Sequence, residues 1–285
     1  MRQAVKQHHT VIAIPYYNGS RFLRQAIASV VVNWREDMRL VVIDDASEDD
    51  PKEILEEFSQ FGIDYFRNPE RVGMIENHKR CLEFNTGKYF KILSQDDELL
   101  PGALDRQISL LDAHPELVFV SGSKQLIDSA GRVLLAINHG LNGRVNRQDV
   151  CRAIAIKGTN PVGEPALVLM RGSATRLVRG FPGGQPWLLD ILMWLQLLEL
   201  GPGMVKEEPV GRFRLSSQSY SAGMGLKQVE VFSTFLDDLR INGDIGLGLY
   251  CYAWLRCRLN ALLRQIIYRW YDVGHGVFRL NFFRK

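Results

Sequence analysis

Through its first hundred residues the chain alternates short apolar runs with segments of helical periodicity, and several of the runs end in acids. Val11–Ile14 is a first run, stopped by Pro15, and residues 20–34 then repeat Leu23, Ile27, Val30, Val31 and Trp34 at helical spacing. Leu40–Ile43 is a second run, closed by Asp44 and Asp45. Pro51 opens a helix with Ile54, Leu55 and Phe58 on one side, and Ile63–Phe66 reads as a third strand. Residues 74–86 form a third helix ended by Gly87, and Tyr89–Leu93 is a fourth strand running into Ser94-Gln95-Asp96-Asp97. This alternation predicts a parallel sheet covered by helices, and such sheets bind ligands at the carboxyl ends of their strands. Those ends carry Pro15-Tyr16-Tyr17-Asn18, Asp44-Asp45 and Asp96-Asp97-Glu98.

Beyond Pro101 the pattern is mixed. A helix near 102–113 precedes a strand, Leu117–Ser121, and a hairpin around Asp128–Gly131. Residues 158–186 are rich in Gly and Pro and read as a substrate-facing loop region, residues 187–200 as an almost wholly apolar helix, and residues 212–225 as a polar loop. Two further helices are expected over 228–240 and 247–271. Of 285 residues 46% are hydrophobic and 24% charged, which excludes a disordered chain and a disulfide-stapled miniature. Cys81, Cys151, Cys251 and Cys257 form no C-x-x-C pair and no zinc-site spacing, so they read as reduced thiols of a cytoplasmic protein. The polar N-terminus and the lack of a long apolar stretch predict no signal peptide and no transmembrane helix. The net charge of +3 is uneven: residues 245–285 hold seven basic residues and one acid, a balance of +6, and the remainder is mildly acidic. A net positive balance confined to the tail argues against nucleic-acid binding.

Three groups of residues carry the chemistry. Five carboxylates (Asp44, Asp45, Asp96, Asp97, Glu98) would crowd one sheet edge, which costs electrostatic energy unless a cation or hydrogen-bond donors offset it. Such oxygen-rich sites suit Mg²⁺ or Mn²⁺, although each acidic pair could instead cap a helix or turn. The loop after the first strand lacks G-x-G-x-x-G, and no G-x-x-x-x-G-K-[ST] occurs, so a Rossmann oxidoreductase or P-loop kinase is disfavoured. Tyr17 could still stack on a base while a metal holds the phosphates. Asp190 is the lone charge in the apolar stretch from Pro182 through Leu198. Partial burial would raise its pKa toward that of a general base, whereas an ordinary helix-capping role would use the N-terminal dipole.

Taken in order, these segments resemble glycosyltransferase family 2, inverting enzymes with a GT-A fold, over roughly residues 9–220. Val11–Asn18 matches the family's opening strand and nucleotide loop, and Val42-Ile43-Asp44-Asp45-Ala46-Ser47 its V-D-D-x-S strand end. Gly73 through Arg80, followed by Gly87-Lys88-Tyr89-Phe90, resembles the G-x-x-x-N…G-x-Y-I stretch. Ser94-Gln95-Asp96-Asp97 occupies the Asp-x-Asp position, and Asp190-x-x-x-Trp194 resembles the late acid–Trp motif. The resemblance implies that Pro15, Tyr17, Asn18, Asp45, Asn77, Arg80 and Asp96 hold the donor nucleotide and that Asp97 binds a divalent cation, Mg²⁺ or Mn²⁺. It further implies Asp190 as catalytic base, with Glu164, Trp194, Arg212 and Arg214 on the acceptor or lid side. Three departures stand out: Ser94 replaces an acid at the metal position, Leu189 precedes the base where relatives have Glu, and Ser216 replaces the His of an Arg-x-His lid.

The sequence therefore predicts a mixed, mainly parallel α/β sheet of GT-A type over 1–225, with a nucleotide-binding half (1–100) and an acceptor half (101–225). A basic helical extension, 226–285, follows. The expected function is transfer of a sugar from a UDP- or dTDP-sugar to a glycan or lipid-linked acceptor, in cell-surface polysaccharide or glycolipid synthesis. The alternative is an inactive nucleotide-sugar or glycan-binding scaffold. The interleaved aromatics and arginines of 247–271 suit either peripheral contact with the inner face of a membrane or a homodimer helix.

Overall fold

The computed structural model describes residues 8–178, 188–215 and 227–272, without the side chains of 227–228 and 264–272. The first half runs β1 (Thr10–Tyr16), α1 (Ser20–Val31), β2 (Met38–Asp44), α2 (Lys52–Glu57), β3 (Asp64–Arg67), α3 (Met74–Glu83) and β4 (Tyr89–Ile92). After it come β5 (Glu98–Leu99), α4 (Ala103–Ala113), β6 (Phe119–Ile127), β7 (Val133–Ile137), β8 (Gly143–Val145) and α5 (Arg147–Lys157). The chain continues through β9 (Val168–Arg171), α6 (Gly172–Thr175), α7 (Leu189–Leu200), β10 (Gly203–Arg214), α8 (Lys227–Ile241) and α9 (Leu247–Asp272). One sheet runs β3-β2-β1-β4-β9-β6-β10-β5, with β7 on β6 and β8 on β10. Strands β3, β2, β1 and β4 are mutually parallel, and β9 runs antiparallel to both β4 and β6. The fold is thus the expected mixed α/β sheet.

Alternation along β1 explains why its run is continuously apolar. Val11 and Ala13 enter one core, together with α7 and α8, while Ile12, Ile14 and Tyr16 enter the other, beneath α1 and α4. A strand covered on both faces has no polar side to show. Pro15 does not stop β1, which pairs with β2 through Tyr16. The carbonyl of Ala13 accepts from Leu93, so Pro15 turns its hydrogen-less nitrogen to that same side, beyond the end of β4, where no ladder bond is lost.

Three further differences concern the second half. The Gly- and Pro-rich stretch contains β9 as well as loop, the strand expected over 117–121 extends to Ile127, and Arg212–Arg214 belong to β10 rather than to a loop. Helices α8 and α9 share the body's core: Phe232, Phe235, Leu236, Leu239, Ala253 and Cys257 cluster with Trp194 and Leu198 of α7. Arg147 of α5 ties down the α8–α9 turn through Asp244 at 2.8 Å. Among the described residues no helix is long and apolar enough to cross a membrane.

Lys91 on β4 is fully buried without a carboxylate; its ammonium donates to the carbonyls of Ala166 (2.7 Å) and Val168 (3.1 Å). Burial pushes its pKa down to about 7. The unfolded chain, whose lysine keeps its ordinary value, therefore binds more protons above pH 7, so stability gains from this group as pH rises. Between pH 7 and 8.5 the wild type should gain roughly 1–2 kcal/mol relative to Lys91→Met. Urea unfolding of both proteins across that range measures the difference, and parallel pH profiles would refute it.

Candidate active site

The loop after β1 is fixed from two sides. The Tyr16 hydroxyl donates to Asp49 at 2.6 Å, and Asp49 also accepts the Ser20 amide at 2.9 Å, anchoring the first turn of α1. Gln95 clasps the Tyr17 backbone, accepting from its N–H at 2.8 Å and donating to its carbonyl at 3.0 Å. Residue 19 has to be glycine for this clasp, since a Cβ there would lie 2.2–2.5 Å from the Gln95 amide. The half-exposed Tyr17 ring lies beneath the Arg71 guanidinium, 4.2 Å from ring centre to carbon. Asn18 takes a left-handed conformation (φ 46°), and its side-chain oxygen accepts the Glu48 amide at 2.7 Å.

Most of the crowded carboxylates find partners within the fold. Asp44, fully buried, accepts from Tyr65 (2.5 Å), Arg67 (2.7 Å) and both donors of Ser47. Asp45 accepts from the Val72 and Gly73 amides at 2.7 and 2.8 Å and from Asn68 at 3.0 Å. Its Oδ1 carries two of these bonds and its Oδ2 one, leaving a lone pair on Oδ2. Asn77 and Arg80 meet Asn68 rather than open space: Arg80 donates to it at 2.5 Å, and buried Asn77 accepts from it while donating to the Ile43 carbonyl. Glu98 holds Arg212 (3.0 Å) and Arg214 (2.5 Å), so both guanidinium groups expected on a lid are bound to a strand. Arg214 is buried and also donates to the carbonyls of Asp96 and Asp128. Ser216 lies outside the described residues.

Asp96 and Asp97 make no ion pair among the described residues; the cations nearby, Arg214 and Lys124, are paired with Glu98 and Glu164 and act on them only through space. Asp97 is 2% exposed, and its Oδ1 accepts the Arg214 amide at 3.2 Å. Burial, and then the neighbouring Asp96, push its carboxyl well above the carboxylate range; burial raises Asp96 as well. Among the described residues no three His, Cys, Asp or Glu side chains converge as a closed metal cage. Two adjacent carboxylates fit instead a hard cation that takes its other ligands from substrate phosphates and water.

The second half of the site is assembled on α7 and on the turn before β9. Asp190, in the first turn of α7, keeps some exposure, yet burial and the charge of Glu164 raise its pKa to about 7. Asn160 hydrogen-bonds it and also braces the turn, donating to the Gly163 carbonyl at 2.8 Å and accepting the amides of Val162 and Gly163. Trp194, one turn along α7, is buried and donates its indole N–H to the same Gly163 carbonyl at 2.9 Å. Glu164 is ion-paired with Lys124 of β6, whose ammonium lies 4.6 Å from the centre of the Phe213 ring. Burial opposes ionisation of Glu164, but Lys124 outweighs it and holds the carboxyl below its ordinary value. Glu164 Oε2 and His139 Nε2 are buried without partners, and burial lowers His139 to about 4. Lys124, His139, Asn160, Asn68 and Gln95 were given no role by the sequence reading, and none of them carries a local signal that separates it from a surface polar residue.

Compared with known proteins, residues 11–156 match the family model described as glycosyl transferase family 2. An uncharacterized protein of Mycobacterium tuberculosis is 27% identical over 196 residues, 66% of this chain and 61% of its own length. The chain thus spans less than two thirds of that relative. Among solved structures, S. aureus TarS 1–349 in complex with UDP-GlcNAc superposes with a TM-score of 0.65 at 12% identity, covering 94% of this chain and 76% of that one. The mannosyltransferase PcManGT of Pyrobaculum calidifontis, in complex with GDP-Man and Mn²⁺, gives 0.61 at 14% identity, covering 95% and 77%. Likeness at these identities is likeness of fold, and that fold is GT-A.

The partners of Asp44 mark it as a structural acid. Asp44→Ala should lower stability by about 1–3 kcal/mol, because it strands a tyrosine hydroxyl, a serine and a guanidinium. Chemical denaturation checks this, and a loss within experimental error would contradict it.

Proposed function

The chain belongs to glycosyl transferase family 2, and on that premise we propose that it transfers a sugar, with inversion, from a UDP- or dTDP-sugar to an acceptor hydroxyl with Asp190 as base. One observation carries the reading. The Lys124–Glu164 ion pair acts electrostatically on Asp97 and on Asp190 alike, so the acid suited to a diphosphate and the acid suited to a proton share one neighbourhood. A carboxyl with a pKa of about 7 is ionised in half its copies at neutral pH and is basic enough to take a hydroxyl proton.

In this mechanism residues 1–100 hold the nucleotide and residues 101–225 the acceptor. The Tyr17 ring offers a stacking face to the base beside Pro15 and Asn18. The free lone pair on Asp45 Oδ2 suits the ring N–H of a uracil or thymine, with Asn77 and Arg80 supporting the Asn68 loop behind it. Asp97, with Asp96, would hold Mg²⁺ or Mn²⁺, which when bound neutralises charge on the diphosphate. Asp190 accepts the acceptor's hydroxyl proton as that oxygen bonds to the anomeric carbon; the bond from that carbon to the diphosphate oxygen breaks on the opposite face, and its electrons leave with the nucleotide. Glu164 and Trp194 shape the acceptor side, while Arg212 and Arg214 keep Glu98 away from the diphosphate. The nucleotide sugars bound by TarS and PcManGT, and the Mn²⁺ of the latter, support the donor class and the cation. For the acceptor we propose a glycan or lipid-linked hydroxyl in cell-surface polysaccharide or glycolipid synthesis, a reading that family membership supports without specifying it.

Turnover should rise with pH through about 7, since only ionised Asp190 is a base. Asp190→Asn should lower turnover about 10²–10⁴-fold with donor affinity unchanged. Glu164→Gln removes a charge that raises the Asp190 pKa and should move the acidic limb to lower pH. Donor-release kinetics and calorimetry decide: full turnover in Asp190→Asn, or a pH profile without that limb, defeats the assignment. Asp97→Asn should abolish cation-dependent donor binding, and affinity insensitive to both the substitution and a chelator would remove the cation.

A further inference from the structure

Helix α9 is apolar on two opposite faces, and the body uses only one of them. Ala253, Cys257 and Ala261 are buried against the core, and Asn260 beside them donates to the carbonyls of Lys157 (2.6 Å) and Gly158 (3.2 Å) at the end of α5. On the far side, Tyr252, Leu255, Leu259, Leu262 and Leu263 form a stripe at helical spacing, each 47–57% exposed. Arg256 and Arg258 fall on the two edges of this stripe, and Arg258 stacks on Trp254, 3.1 Å from the ring centre. Neither arginine pairs with a carboxylate of the described residues, and no acid occurs from Leu247 through Tyr271.

We propose that the outer face of α9 docks on an anionic lipid surface, with the leucine stripe at the headgroup–acyl boundary and Arg256 and Arg258 on lipid phosphates. Charge complementarity selects this occupant. A second copy laid on the same stripe would bring Arg256 and Arg258 together with no acid from Leu247 through Tyr271 to answer them, whereas anionic lipid supplies that charge. The docked helix is continuous with the site: Asn260 caps α5 at Gly158, and two residues on Asn160 hydrogen-bonds Asp190. On the catalytic reading above, docking would hold the loop that contacts Asp190 close to a membrane-borne acceptor.

Co-sedimentation of the full chain with vesicles of phosphatidylcholine alone, or mixed with phosphatidylglycerol, tests the docking. Binding is expected to the mixed vesicles only, and should weaken as salt shortens the screening length from about 10 Å at 0.1 M to about 3 Å at 1 M. The double variant Arg256→Glu/Arg258→Glu should lower partitioning by roughly tenfold or more. Leu255→Gln/Leu259→Gln should also lower it while leaving thermal unfolding unchanged, because both side chains point outward. Asp190→Asn must bind vesicles as the wild type does, which separates this result from the fate of the catalytic reading. Equal binding to both vesicle types, no binding, or a dimer by ultracentrifugation that the leucine variant dissociates would each overturn the proposal.

Discussion

Carboxylates gathered at one edge of a parallel sheet repel one another, and the arrangement of the cleft follows from how this chain answers that repulsion. Asp44 is given Arg67, Glu98 is given two arginines, and Asp45 is given two backbone amides and an asparagine. Each answer orders a segment: the β3 end, the β10–β5 pairing, and the turn into α3. Asp96 and Asp97, just before β5 and beside the end of β10, get no ion pair of their own among the described residues; Arg214 and Lys124, already paired with Glu98 and Glu164, reach them only through space. The same interactions that stabilise the fold therefore concentrate the unmet electrostatic demand at one place.

Across the cleft the balance is held differently. Glu164 and Asp190 are both enclosed, but Lys124 pairs directly with Glu164 and reaches Asp190 only through space. One carboxyl is consequently held ionised and the other is raised to about 7. Two acids in similar burial thus acquire different protonation behaviour from the position of one ammonium.

The parallel half was legible in the sequence because its signals are local: buried strands read as apolar runs, and the acids at their ends are adjacent in the chain. Asp190 could be singled out for the same reason, as a charge in an apolar helix. The partners were not legible. Gln95 meets Tyr17 across 78 residues and Arg214 meets Glu98 across 116, and no periodicity reports such pairings. Arg212 and Arg214 read as loop because 212–225 is polar and holds several serines and glycines, whereas β10 is held as a strand by pairing with β6 and β5. Lys124 lies on β6 past the apolar core of the strand, where a surface lysine and a site lysine look alike.

Lys91 shows how far the site reaches into the core. Burying an amine without a carboxylate is costly, and a methionine would fill the same volume with no polar group to satisfy. Its two acceptors, the carbonyls of Ala166 and Val168, lie in the short turn and strand that directly follow Glu164. Strand β4 pairs with β9 only through Tyr89 and Phe90, so beyond that point the ladder no longer fixes this segment. The lysine takes over where the ladder stops, anchoring the turn to the strand that leads into Asp96 and Asp97. The two halves of the cleft are thereby held in register from beneath, by a group that never enters it.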